Sequence, residues 1–194
     1  MNLPNKLTLL RILLVPVYLV FMYVPAIPFR YTLALVVFIL ASITDALDGH
    51  IARKHHLVTT FGKFADPLAD KVLVLAALAS LADLGSGPVN GIVVTIVAAR
   101  EFMVSGLRLV TAEKGVVVAA GIWGKLKTAF TMVTIVAIQL WLMIQMDFGF
   151  TNPSEGVTLG VYVVLWALVW ISVLLTVISG GVYLKGYWKY IDMK

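Results

Sequence analysis

Four aspartates lie within one of the most apolar stretches of this 194-residue chain: Asp45, Asp48, Asp66 and Asp70. Ionisable side chains inside apolar helices are energetically costly, and they usually face a cavity or one another. Four neighbouring carboxylates repel one another unless a cation holds them together, and hard oxygen ligands suit Mg²⁺, Mn²⁺ or Ca²⁺. The chemistry that these residues indicate is therefore the binding of divalent metal.

The spacing of the aspartates predicts how they are brought together. Asp45 and Asp48 are three residues apart and Asp66 and Asp70 are four apart, so each pair shares one face of an α-helix. If the chain turns near Leu57, both pairs lie roughly 13–20 Å from the turn, at about 1.5 Å per residue. We therefore predict an antiparallel helical hairpin in which the two pairs meet at the same depth.

The residue composition predicts that these helices lie in a membrane. The chain is 61% hydrophobic and 13% charged, whereas soluble globular domains are about half apolar and about a quarter charged. It contains no cysteine, which excludes disulfides and thiolate metal sites. We attribute the formal charge of +5 to cytoplasmic loops and anionic lipid, and nucleic acid is not expected as a partner.

Six segments are candidates for transmembrane helices, since a span needs about 20 mostly apolar residues. They cover residues 7–24, 31–52, 61–84, 89–110, 121–146 and 157–184. A turn sequence, Gly85-Ser86-Gly87-Pro88, separates the third segment from the fourth. Because no linker interrupts the pattern, we predict an all-α polytopic membrane protein with a single membrane-embedded domain over residues 1–194.

The distribution of basic residues predicts the orientation of this bundle. Of the fifteen Lys and Arg residues, only Arg30 lies toward one side, and the loops around Asp83, Asp147 and Glu155 carry no Lys or Arg. Basic residues accumulate in cytoplasmic loops. We therefore expect a multi-pass protein of the plasma membrane, with both termini and the aspartate-bearing end in the cytoplasm.

Residues beside the aspartates leave alternatives open. Gly49 and Gly62 either let a bulky ligand approach the backbone or allow close packing of membrane helices. Arg53 lies one helical turn beyond Gly49, where it fits a phosphate contact and equally fits a positive-inside residue. The adjacent His55 and His56 have the character of solvated turn residues rather than of zinc ligands.

The stretch from Asp45 to Asp70 resembles the signature of the CDP-alcohol phosphatidyltransferases, Asp-x2-Asp-Gly-x2-Ala-Arg-x8-Gly-x3-Asp-x3-Asp. Every fixed position of that signature is filled, by Asp45, Asp48, Gly49, Ala52, Arg53, Gly62, Asp66 and Asp70. The predicted topology, six spans with cytoplasmic termini, also resembles that of the family, so the resemblance extends along nearly the whole chain.

The resemblance implies an enzyme that transfers a phosphatidyl or related group from a CDP-linked donor to an alcohol and releases CMP. It also implies a homodimer and two divalent metal ions, Mg²⁺ or Mn²⁺, which bridge the donor pyrophosphate and neutralise charge on the leaving CMP. Asp70 is then both a metal ligand and the general base. The other implied ligands are Asp45, Asp48 and Asp66, and the implied donor pocket is lined by Gly49, Ala52, Arg53 and Gly62.

A second set of residues concerns the acceptor. Cations beside a metal–carboxylate site suit a phosphorylated acceptor, whereas serine or choline does not require them; taken singly, each also fits topology or lipid contact. The patterns Asn5-x2-Thr8-x2-Arg11, Ala99-Arg100-Glu101 and Gly124-Lys125-x-Lys127-Thr128 resemble the branch of the family that joins CDP-diacylglycerol to sn-glycerol 3-phosphate. The acceptor-phosphate residues implied are Thr8, Arg11, Arg100, Arg108, Lys125 and Lys127.

Two other functions remain open from the sequence. A transferase of the same family could use another acceptor, such as inositol phosphate. A cation transporter could use the aspartates as a transport site. Transporters usually place such sites near the midplane of an internally repeated fold, whereas this sequence shows no clear repeat and its predicted site lies near one face. The expected partners are therefore CDP-diacylglycerol, sn-glycerol 3-phosphate and membrane lipid.

Overall fold

The computed structural model is built from six long helices. It describes residues 3–55, 60–85, 87–115, 121–150 and 154–190, without the side chains of residues 3–5, 45–55, 60–67, 70, 113 and 189. The helices are α1 (Leu3–Tyr23), α2 (Arg30–His55), α3 (Thr60–Asp83), α4 (Gly91–Glu113), α5 (Ile122–Leu142) and α6 (Glu155–Tyr187). A π-helical turn, Met143–Asp147, extends α5, and a 3₁₀ turn, Trp188–Tyr190, follows α6. The described residues contain no strand, so the all-α prediction is confirmed.

Three of the six predicted spans have helices that are long and apolar enough to cross a membrane. Among the described residues these are Lys6–Tyr23, Ile122–Asp147 and Glu155–Tyr187, and a shorter apolar stretch covers Arg30–Thr44. The three long helices support a membrane-embedded bundle. The full count of six spans stays a prediction.

The distribution of side chains between surface and interior is that of a membrane bundle. Large apolar residues are exposed on the outer faces, as at Leu13, Ile92 and Leu159. Small hydroxyl residues are buried, as at Ser172 and Thr176. Lipid solvates apolar outer faces, so helices in a membrane associate through close packing and polar contacts instead.

The six helices form two sets of three. In the first set α1 packs against α2 and α3, and in the second α6 packs against α4 and α5. Contacts of α3 with α4 and of α2 with α5 join the sets, around a core that includes Phe38, Leu73, Val97, Ile138 and Val169. The aspartate-bearing helices therefore lie in the first set, and the basic residues of α4 and α5 lie in the second.

Hydrogen bonds at one end of the bundle fix the relative directions of the helices. Tyr23 at the end of α1 donates to Asp83 at the end of α3, at 3.0 Å. The backbone and hydroxyl of Thr32, near the start of α2, donate to Asp147 after α5, at 2.6 and 2.7 Å. We call this the Arg30 end. The opposite end, called the aspartate end, holds the starts of α1, α3 and α5 and the ends of α2 and α4. The end of α6 lies there too, since Tyr183 accepts a hydrogen bond from Gly121 at the start of α5.

Local signals determine where α4 begins and ends. Asn90 caps its first turn, since its side-chain oxygen accepts from the backbone N–H of Val93 at 3.1 Å. Gly115 follows its end with a φ of 74°, a left-handed conformation that glycine adopts without steric cost. The two ends of α4 fix the positions of its charged residues, Arg100, Glu101 and Arg108, along the axis of the bundle.

Candidate active site

The backbone places each aspartate pair within one continuous helix, as the spacing of the pair predicts. Helix α2 runs unbroken through Asp45 and Asp48, and α3 runs unbroken through Asp66 and Asp70. Each pair therefore lies on one helix face. The side chains of these four residues, and the surroundings of Gly49, Ala52, Arg53 and Gly62, lie outside the described part of the structure. Their metal-binding and donor-binding roles stay predictions.

A largely buried group of charges joins the three helices of the second set. Arg100 Nη1 on α4 donates to Glu101 Oε1 at 2.9 Å, and Lys127 Nζ on α5 donates to the same oxygen at 2.5 Å. Arg100 Nη2 donates to Ser179 Oγ on α6 at 2.5 Å. We call these four residues the charged cluster. Buried charges are stable only when paired and hydrogen-bonded, and each of these charges is.

The charged cluster has more positive than negative charge. Among the described side chains, Glu101 is the carboxylate that pairs with both Arg100 and Lys127. Arg100 Nε is buried and has no hydrogen-bond partner in that part of the structure. In a low-dielectric interior a surplus cation creates a strong local field. The cluster is therefore suited to an anionic ligand nearby.

Lys71 connects the aspartate segment to the charged cluster. It follows Asp70 directly in α3, and its ammonium group donates to Ser105 on α4. Ser105 Oγ in turn donates to the backbone oxygen of Glu101 at 2.7 Å. The turn of α3 that carries Asp70 thus lies beside the turn of α4 that carries Glu101, so the two predicted sites are neighbours.

The predicted acceptor residues of α4 and α5 differ in accessibility. Lys127 is 4% exposed, within the charged cluster, whereas Lys125 is exposed. Arg108 is also exposed, and its Nη2 donates to the hydroxyl of Tyr183 at 3.4 Å. Direct contact with a ligand is thus open to Arg108 and Lys125, whereas Arg100 and Lys127 are largely enclosed.

Thr8 and Arg11 lie in the other set of helices. Both are fully buried in α1, which packs against α2 and α3. The rings of Tyr18 and Phe38 are in contact, with centroids 6.2 Å apart. Arg11 comes seven residues before Tyr18 and Asp45 seven after Phe38, so the two backbone positions lie at the same level. The structure therefore places Arg11 with the aspartate-bearing helices.

Two residues at the site were not predicted from the sequence: Ser179 and Tyr183. Both lie on α6, an otherwise apolar helix. The available signal is a buried row of hydroxyl residues at helical spacing, Ser172, Thr176, Ser179 and Tyr183. Residues separated by three or four positions share a helix face, so this row marks the side of α6 that packs against α4 and α5.

Comparison with known proteins gives consistent matches. The family model for CDP-alcohol phosphatidyltransferase matches residues 1–178. A protein of Bacillus subtilis (strain 168) is 40% identical over 200 residues, which cover 97% of this chain and 96% of that protein. Proteins of Rickettsia bellii (39% over 191 residues, 97% of each chain) and Pseudomonas fluorescens (35% over 169 residues, 82% and 85%) are also similar. All three are named CDP-diacylglycerol–glycerol-3-phosphate 3-phosphatidyltransferase.

Proposed function

This chain belongs to the CDP-alcohol phosphatidyltransferase family, and from that premise we propose that it transfers a phosphatidyl group from CDP-diacylglycerol to sn-glycerol 3-phosphate. The products are phosphatidylglycerol phosphate and CMP, in phospholipid biosynthesis. The names of the similar proteins specify this donor and acceptor. The observation that carries the proposal is the positive charged cluster beside the turn of α3 that bears Asp70.

The donor set fits divalent metal. Asp45 and Asp48 on α2, with Asp66 and Asp70 on α3, would hold two ions of Mg²⁺ or Mn²⁺, which prefer carboxylate oxygens. Bound there, the metal would supply charge neutralisation at the donor pyrophosphate. In the same proposal Gly49, Ala52, Arg53 and Gly62 line the pocket of the cytidine diphosphate group.

The protein's own residues supply the acceptor and the base. Arg108 and Lys125, which are exposed, hold the phosphate of glycerol 3-phosphate. The Asp70 carboxylate takes the proton of the acceptor hydroxyl as that oxygen forms a bond to the β-phosphorus of the donor. The bond between this phosphorus and the bridging pyrophosphate oxygen breaks, and CMP leaves with the bonding electron pair.

We place the protein in the plasma membrane with its aspartate end in the cytoplasm, where cytidine nucleotides are available. The Lys and Arg distribution supports this orientation. The family resemblance favours a homodimer. Ala77 and Ser80, two small residues of α3, are buried within one subunit, whereas Ala79 is exposed and Ala76 is partly exposed, so Ala79 is more accessible to a partner than the other small residues of this segment.

One assay tests the proposed reaction. Purified protein in detergent–lipid micelles receives CDP-diacylglycerol, Mg²⁺ or Mn²⁺, and a single acceptor. With sn-glycerol 3-phosphate we expect CMP release equal to the phosphatidylglycerol phosphate found by mass spectrometry, and neither product after EDTA treatment. Transfer to inositol phosphate alone would assign a different acceptor. Cation flux into proteoliposomes without CMP release would indicate a transporter.

A further inference from the structure

Tyr183 contacts both other helices of the second set at the predicted acceptor site. Its hydroxyl accepts hydrogen bonds from the backbone N–H of Gly121, at 2.8 Å, and from Arg108 Nη2, at 3.4 Å. The guanidinium carbons of Arg100 and Arg108 lie 5.7 and 5.6 Å from its ring centroid. Tyr183 itself is 5% exposed, so packing fixes the ring in place.

These contacts suit a residue that arranges cations for a ligand. A guanidinium within about 6 Å of an aromatic centroid is attracted by the ring. Arg108 is long and exposed, and such a side chain loses rotamer freedom when it binds a phosphate. A fixed ring and hydroxyl limit that loss because they hold the guanidinium before the ligand arrives.

We propose that Tyr183 is a positioning residue for the acceptor phosphate: it holds Arg108, and with it Arg100, in the arrangement that binds this group. The inference rests on the proposed function, and it adds a residue of α6 that lies outside the aspartate signature and the basic motifs. Tyr183 does not touch the reacting atoms. It acts through the two arginines, so its effect belongs to acceptor binding.

Gly124 supports this assignment independently. A Cβ atom added at Gly124 would lie 3.2 Å from the hydroxyl oxygen of Tyr183 and 3.8 Å from Arg100 Nη2. Its hydrogen atom in place of a side chain therefore leaves room for the tyrosine at the start of α5. Gly106 on α4 is a matched control, since an added Cβ there would have no atom within 4 Å.

The test compares Tyr183→Phe and Tyr183→Leu by initial rates, with the acceptor and donor varied separately. We expect Tyr183→Leu to raise the KM for glycerol 3-phosphate about tenfold and Tyr183→Phe, which keeps the ring, about threefold. The donor KM and kcat should stay within about twofold of wild type. Tyr162→Leu is the control, because Tyr162 is exposed near the Arg30 end of the same helix.

The remaining outcomes also decide the proposal. An unchanged acceptor KM in Tyr183→Phe and Tyr183→Leu, or an equal rise in both substrate KM values, would overturn it. If Tyr183→Leu does not fold, Tyr183→Phe and Gly124→Ala test the proposal instead. Both should raise the acceptor KM, and the control Gly106→Ala should not. A wild-type enzyme that is inactive with glycerol 3-phosphate would overturn the proposed function itself, and the Tyr183 assignment with it.

Discussion

Two buried polar groups in this bundle each join three helices, and they differ in charge. The charged cluster joins α4, α5 and α6. A neutral network joins α1, α3 and α5: Gln139 Nε2 donates to the hydroxyl of Tyr18 at 2.7 Å, and that hydroxyl lies 3.4 Å from Ser80 Oγ. Tyr18, Gln139 and Lys127 are buried, and the side chains of Arg100 and Glu101 are 10% and 12% exposed, so the two groups differ more in charge than in burial.

The difference in charge indicates which buried polar group serves helix packing and which serves substrate binding. Hydroxyls and an amide can bond to one another inside a membrane protein at a modest net gain. Although Gln139 Oε1 is buried without a hydrogen-bond partner among the described residues, the network carries no charge, so helix packing alone explains it. A buried group of two cations and one carboxylate, as counted over the described side chains, gains little stability from its charges. It lies beside the turn of α3 that carries Asp70, and its Arg100 shares the ring of Tyr183 with Arg108; an anionic substrate explains this position.

The largest loss of activity should come from changing the general base, Asp70, and the smaller losses expected from the two polar groups can be compared with it. Asp70→Asn keeps the size of the side chain but cannot accept the acceptor proton. We expect kcat to fall about 10²- to 10⁴-fold, the usual contribution of a positioned acid or base, with the donor KM little changed. The measurements are CMP release and donor binding. A loss of affinity for CDP-diacylglycerol as large as the loss of turnover would contradict the role of Asp70 as the base.

The next largest effect should come from removing a cation from the charged cluster. Arg100→Met leaves Ser179 and part of Glu101 without their partner. We expect kcat/KM for glycerol 3-phosphate to fall roughly 30- to 150-fold, which corresponds to about 2–3 kcal/mol. Gln139→Leu, in the neutral network, should stay within about threefold of wild type. Equal losses in the two variants would remove the distinction between the groups.

A smaller effect tests whether the charged cluster acts as a unit. Glu101→Gln and Lys127→Met should each lower kcat/KM for the acceptor about tenfold. Glu101→Gln leaves two cations without their carboxylate, and Lys127→Met removes one of the two cations that neutralise Glu101. The double variant should be no worse than the weaker single variant, which gives a coupling energy of about 1 kcal/mol or more. Additive losses would mean that the two side chains act separately.

The smallest effect should appear in the neutral network, and only as stability. Tyr18→Phe leaves the Gln139 amide without the hydroxyl and should lower the free energy of unfolding by about 0.5–2 kcal/mol. Adding Gln139→Leu should recover part of the loss, since no buried amide then remains. Thermal unfolding in detergent measures both changes. A raised KM for glycerol 3-phosphate in either variant would give this network a role in catalysis.

The helices were largely predictable from the sequence, because long apolar runs separated by glycine and proline leave few alternatives. The two aspartate pairs could be assigned to consecutive helices for the same reason. The π-helical turn Met143–Asp147 could not be predicted from the sequence, since Asp147 is held there by Thr32 from a distant part of the chain.

The division of labour among the basic residues also required the structure. Lys125 and Lys127 are two positions apart, so with about 3.6 residues per turn they lie on different faces of α5. Sequence alone does not say which face turns inward; the answer depends on Glu101 of α4. Tyr183 was missed because its partners, Arg100, Arg108 and Gly121, are distant in sequence.

The proposed selection of a phosphorylated acceptor by basic residues of α4 and α5 can be measured as a single ratio. The ratio of kcat/KM for glycerol 3-phosphate to that for free glycerol is measured for wild type and for Arg108→Met. We expect wild type to favour the phosphate by at least about 10³-fold, and Arg108→Met to reduce this preference at least about tenfold. Equal use of both acceptors by wild type, or an unchanged ratio in Arg108→Met, would show that Arg108 does not select the acceptor phosphate.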